Sequence, residues 1–95
     1  MSVTFIVNFK VKDEKLSGFL KIMGDVKSEL PKTEGCMGVT IHNSINYPSN
    51  FTVVERWKSK EYHEKHVKIL LDTSAWDRIS SHLVCDPVSD YYEAI

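Results

Sequence analysis

The sequence predicts an α+β fold, a ferredoxin-like split βαβ with an antiparallel sheet and both crossover helices on one face. Three observations carry this prediction. Val3, Phe5, Val7, Phe9 and Val11 alternate with Thr4, Ile6, Asn8 and Lys10, the period of two that defines a strand. Two stretches, one after Asp13 and one after Ser59, repeat apolar residues at helical spacing. Between them, residues 37–45 and 51–57 flank Asn46-Tyr47-Pro48-Ser49-Asn50, a loop that reverses the chain into an antiparallel hairpin.

Taken in order, the first strand covers residues 3–11 and its odd-numbered face is wholly apolar. Asp13 can cap a helix whose apolar positions are Leu16, Phe19, Leu20, Met23, Val26 and Leu30, and Pro31 stops it. Gly18 and Gly24 weaken that helix by about 1 kcal/mol each relative to Ala, a cost that close packing on the sheet can offset. Glu34-Gly35-Cys36-Met37-Gly38 turns into the second strand, and the third ends on Trp57. Ser59 caps a second helix, with Tyr62, His63, His66, Val67, Leu70 and Leu71 on its inner side. Asp72-Thr73-Ser74 restarts a shorter helix around Trp76, Ile79 and Leu83. Residues 84–92 supply a last strand, which Pro87 confines to an edge or bulged position.

Composition narrows the function classes. Ninety-five residues, 42% hydrophobic and 26% charged, describe one soluble domain over residues 1–95. A formal net charge of -1 with mixed signs gives no field for a phosphate backbone, so no nucleic-acid partner is expected. No apolar run approaches the ~20 residues of a spanning helix, and the charged start at Lys10, Lys12 and Asp13 reads as a strand and not a leader; no membrane partner is expected. Cys36 and Cys85 have neither CxxC nor zinc-ligand spacing, which suits a reducing, cytoplasmic setting. The even-numbered sheet face also carries apolar residues that a chain this small leaves uncovered, so a second copy is expected to pack there as a homodimer.

The segment from Phe51 to His66 is the candidate site. Its strand ends on Trp57 and runs almost at once into the helix carrying His63 and His66, and so short a connection folds the helix back over the sheet.

Glu34-Gly35-Cys36 followed by Gly38, then Glu55-Arg56-Trp57 with Ser59, and His66 nine residues beyond the tryptophan, resemble the antibiotic biosynthesis monooxygenase domains. The similarity spans essentially the whole chain. It implies a protomer that pairs through its sheet into a dimeric α+β barrel, with a ligand cavity between helices and sheet. Several members oxidise polycyclic phenols or quinols with molecular oxygen and no metal or flavin, others bind and break haem, and some have no established activity. The chain departs from two patterns. Asn8 fits the first-strand asparagine of the haem-degrading members, but His66 stands where they have tryptophan and Trp76 falls near their histidine. Members that oxidise aromatic polyketides have an asparagine four residues before the strand-end tryptophan and a tyrosine six after it, where this chain has Val53 and His63.

Cofactor-free oxygenation requires a phenol or enol whose anion passes an electron to oxygen, so the pocket needs a base and a group that stabilises the anion. His66 or His63 can be the base, since burial favours the neutral imidazole. Asn8 can hold a substrate oxygen through its amide hydrogens. Trp57, Leu70 and Trp76 would wall the ring of a small aromatic or apolar substrate. Each residue has a plainer role open to it: Trp57 as core, His66 and His63 as packed helix residues, Asn8 as a backbone partner or an interface residue. Glu55 shares a strand face with Trp57 and can bring a carboxylate near the pocket, though pairing with a basic side chain is commoner for a strand glutamate. The two histidines lack a third ligand at a recognised spacing, so no metal and no cofactor are expected. The expected function is a cofactor-independent monooxygenase acting on a quinol-like or phenolic compound. The alternatives are a dimeric module that binds a small ligand without turning it over and, third, haem binding or degradation.

Overall fold

β1 (Val3–Lys10) lies inside a four-stranded antiparallel sheet, between β3 (Asn50–Trp57) and β4 (Val88–Tyr92), with β2 (Cys36–Asn43) beyond β3. The computed structural model describes residues 2–95. The helices α1 (Leu16–Glu29), α2 (Lys60–Asp72) and α3 (Ala75–Ser80) complete a βαββαβ order in which α2 and α3 together form the second crossover. The period of two in β1 is matched by its neighbour: Val3 faces Trp57, Phe5 faces Glu55, Val7 faces Val53 and Phe9 faces Phe51. One register therefore aligns the two apolar rows on the same sheet face. Phe19 of α1 packs on that face, its ring centroid 5.5 Å from Phe9 and 5.0 Å from Phe51, and is completely buried.

Several boundaries differ from the sequence expectation, each for a local reason. β1 stops at Lys10, and Val11 instead bridges to Leu83 while its N–H donates to the Ser49 carbonyl. Asp13 makes no capping bond; residues 13–15 form a 3-10 turn before α1 begins. Within α1 it is Ile22 that is buried, while Leu20 is half exposed, because at 3.6 residues per turn Ile22 falls on the face set by Phe19, Met23 and Val26 and Leu20 falls to its side. Pro31 sits in a short 3-10 turn that ends the helical stretch. β2 ends at Asn43, whose side-chain amide donates to the carbonyls of Pro48 and Asn50 and so closes the hairpin early. β4 begins only after Pro87, at Val88. Gly18 gives room to the His82 ring and not to the sheet, and an atom added at Gly24 would meet nothing.

Gly35 is required where it stands. Its φ is +85°, a conformation that favours glycine, and an added Cβ would fall inside the Tyr62 ring of α2. Its carbonyl accepts the Lys58 N–H, so the turn into β2 is tied to the end of β3 just before α2 starts. Ser59 then accepts the Tyr62 N–H at 3.5 Å as the N-cap of α2.

The opposite sheet face is more mixed than its expected apolar character. By alternation and register it carries Ile6, Val54 and Val88 among Thr4, Asn8, Thr40 and Thr52. Among the described residues, no helix is long and apolar enough to cross a membrane.

Candidate functional site

The strand β3 alternates Phe51, Val53, Glu55 and Trp57 toward the helices, so a strand otherwise apolar on that face sets one carboxyl among its hydrophobes. α2 then crosses above it. With Ser59 as N-cap, His63 and His66 fall on the buried side of the helix one turn apart, and His63 is 3% exposed. The result is a cavity of about 560 Å³ between the sheet and the helices. Phe5, Val7 and Val53 form its floor, Ile22 and Met23 one side, and Val67, Leu70 and Trp76 the other. Glu55, His63 and His66 bring the polar chemistry to its wall.

Trp57 stands behind this wall. It is completely buried, does not line the cavity, and donates its Nε1–H to Glu55 Oε1 at 3.0 Å. Its ring also supports both imidazoles, with centroids 5.4 Å from His63 and 5.4 Å from His66. The expectation that Trp57 walls the ligand is corrected accordingly: it braces the groups that do.

His63 is held through one nitrogen and faces Glu55 with the other. Nδ1 lies 2.7 Å from the Tyr91 hydroxyl of β4, and Nε2 lies 3.8 Å from Glu55 Oε1. That second approach is an ion pair only if the imidazole is protonated, and desolvation opposes this, followed by the nearby His66; together they depress His63 to about 4. At neutral pH it is therefore an uncharged ring, stacked 3.9 Å from Phe5. Burial also lowers His66 from its ordinary value. Among the described residues neither nitrogen of His66 has a hydrogen-bond partner, so this imidazole is free to meet a ligand.

Glu55 is the residue that sequence reasoning left outside the site. It is 8% exposed, and desolvation raises its carboxyl to about 7 even though the Trp57 hydrogen bond pulls the other way. The signal was present as an i, i+2 pair with Trp57 on an apolar strand face. No lysine or arginine reaches it; its close polar neighbours are the indole and His63.

Leu70 and Trp76 line the cavity, and His66 and His63 join them there. Asn8 does not. An even-numbered position of β1 points to the other sheet face, where Asn8 is exposed and its Oδ1 accepts the Thr52 hydroxyl at 2.6 Å. Leu71, placed on the inner side of α2 by its spacing, is 60% exposed at the cavity's edge. Among the described residues, no group of three or more His, Cys, Asp or Glu side chains is placed to hold a metal ion.

A family model described as antibiotic biosynthesis monooxygenase matches residues 2–69. No curated protein matches the sequence. Among solved structures, a conserved protein from Methanosarcina mazei Go1 superposes with a TM-score of 0.86 at 21% identity, covering 97% of this chain and 91% of its own. Rv0793 from Mycobacterium tuberculosis gives 0.87 at 13% identity, with 100% and 96% covered. SnoaB, a cofactor-independent oxygenase from Streptomyces nogalater, gives 0.83 at 11% identity, with 98% and 92% covered.

Proposed function

The chain belongs to the antibiotic biosynthesis monooxygenase family, and on that footing we propose that it is a cofactor-independent monooxygenase of a small quinol-like or phenolic compound. One observation carries the reading: an apolar cavity of about 560 Å³ has a proton-exchanging wall made by Glu55 and His66. An aromatic ring fits against Leu70 and Trp76, and its hydroxyl meets that wall. Loss of the hydroxyl proton leaves an electron-rich anion. The anion gives an electron to molecular oxygen, the two radicals combine as a peroxide, and loss of water leaves the oxidised ring carbon. The apolar lining favours the step because it strengthens the interaction of the anion with the few polar groups at the wall. His63, fixed by Tyr91, orients Glu55 from behind.

Assembly is part of the proposal. Ile6, Val54 and Val88 on the open sheet face support pairing with a second copy. The free thiols Cys36 and Cys85 accord with a reducing, cytoplasmic setting.

The test is oxygen consumption with hydroquinones, naphthols and anthrones in metal-free buffer, with saturable turnover as the expected result. Tight binding of these compounds with no oxygen uptake would instead make the protein a binding module. A Soret shift on titration with hemin, lost in His66→Ala, would favour haem chemistry.

A further inference from the structure

Glu55 holds its two oxygens in different circumstances. Oε1 accepts the Trp57 indole N–H at 3.0 Å and has His63 Nε2 at 3.8 Å. Oε2 has no hydrogen-bond partner among the described residues, and no side-chain polar atom of the described residues is both sealed from solvent and unpartnered. Oε2 is therefore accessible, and the open space beside Glu55 is the cavity it lines. A carboxyl gripped from behind through one oxygen presents the other in a fixed direction.

The histidines are poorer acceptors. His63 is 3% exposed, with Nδ1 taken by the Tyr91 hydroxyl and Nε2 set against Glu55 Oε1 at 3.8 Å. His66 is only half-buried at the same wall, with the Trp57 ring beside it and, among the described residues, no hydrogen bond to fix its direction.

We propose that Glu55 Oε2 is the group that reads and removes the hydroxyl proton of the ligand, so that the cavity selects flat apolar compounds bearing one phenolic or enolic hydroxyl. The inference rests on the reading of the cavity as a site for a phenolic compound. In the step, the ligand O–H bond breaks, an O–H bond forms on Oε2, and the electron pair stays on the ligand oxygen. No oxidant or reductant is consumed. His66 contacts the ring and is not the acceptor.

Burial raises the carboxyl to about 7. His63 and His66 on α2 are depressed by burial, and Tyr91 on β4 and Cys36 on β2 are pushed above their ordinary values by it. Asp25 and Glu29 of α1 and Arg78 of α3 are the other charged residues of the lining, and Arg56 neighbours Glu55 in β3. Ligand affinity as a function of pH thus reports on Glu55.

The experiment measures binding of 1-naphthol and of its methyl ether under anaerobic conditions, below and above pH 7. The ether has the same ring and no proton to give. With the wild-type protein, 1-naphthol should bind about tenfold tighter above the midpoint, the size of one hydrogen bond to a charged acceptor, while the ether does not improve. Glu55→Gln keeps an oxygen for Trp57 and should flatten the naphthol curve, and His66→Ala should leave its midpoint in place. Parallel curves for naphthol and ether in the wild type, a step that survives in Glu55→Gln, or a step lost in His66→Ala would each overturn the assignment. If the step appears and oxygen is never consumed, the proton acceptor stands and the monooxygenase reading falls. If oxygen is consumed and Glu55→Gln retains turnover, the acceptor falls and the monooxygenase reading stands. Failure of both compounds to bind overturns both.

Discussion

Glu55 and His63 carry opposite penalties, and together they shape stability against pH. The Glu55 carboxyl is raised from 4.5 to about 7 in the fold, so the native state holds a proton that the unfolded chain releases; stability is full below 4.5 and is lost as pH rises through about 7. The loss is about 3 kcal/mol at most. His63 is lowered from 6.5 to about 4, so its contribution is full above 6.5 and is lost as pH falls through about 4. Between 4.5 and 6.5 the two slopes cancel. Burial lowers His66 as well and adds to the rising slope, so urea denaturation of Glu55→Gln should show stability rising with pH more steeply than in the wild type over that window, and at alkaline pH the variant should be the more stable. Trp57→Phe removes the hydrogen bond that lowers the carboxyl, so the Glu55 midpoint should move above its wild-type value of about 7 in the same naphthol titration. Asn8→Ala, on the far face, should leave naphthol affinity unchanged; a loss comparable to that of Glu55→Gln would mean the cavity extends to that face.

At the scale of elements, the site depends on how α2 docks. The turn at Gly35 lies against Tyr62 in the first turn of α2, and its carbonyl holds Lys58 just before the helix. Gly35→Ala adds a side chain at φ +85° where the Tyr62 ring already stands, and should cost more than about 1 kcal/mol in thermal denaturation. Because Tyr62 and His63 are adjacent on one helix, the displaced ring should also weaken naphthol binding. A variant with wild-type melting temperature and affinity would show that α2 is positioned by its cavity face alone.

At the scale of the molecule, the open sheet face carries Ile6, Val54, Val88 and Tyr92 among threonines and the polar residues His42, Arg56 and Asp90. If it pairs with a copy, light scattering at micromolar concentration should give twice the 10.9 kDa chain mass, with at least ~1,000 Å² buried in total. Val54→Glu, which sets a charge at the centre of that face, should return a monomer of lower stability, since dimerisation and folding are linked. A wild-type monomer would remove the barrel.

The sequence by itself determined the order of elements, because periods of two and 3.6 are local properties, and turn residues such as Gly35 and Pro48 punctuate them. It also determined that Trp57, His63 and His66 would meet, since a two-residue connection, Lys58 and Ser59, folds α2 back over β3. What it could not settle was the direction of each side chain across elements. Asn8 was assigned by residue type, yet strand parity sends it to the opposite face from the cavity. Trp57 and Glu55 exchange the expected roles because the antiparallel register places Glu55 opposite Phe5, under His63, and Trp57 opposite Val3, at the end of the sheet. The environment of a carboxyl follows from the neighbours that register and helix docking bring to it, and those come from residues far away in the chain, as Phe5 of β1 and Tyr91 of β4 are from Glu55.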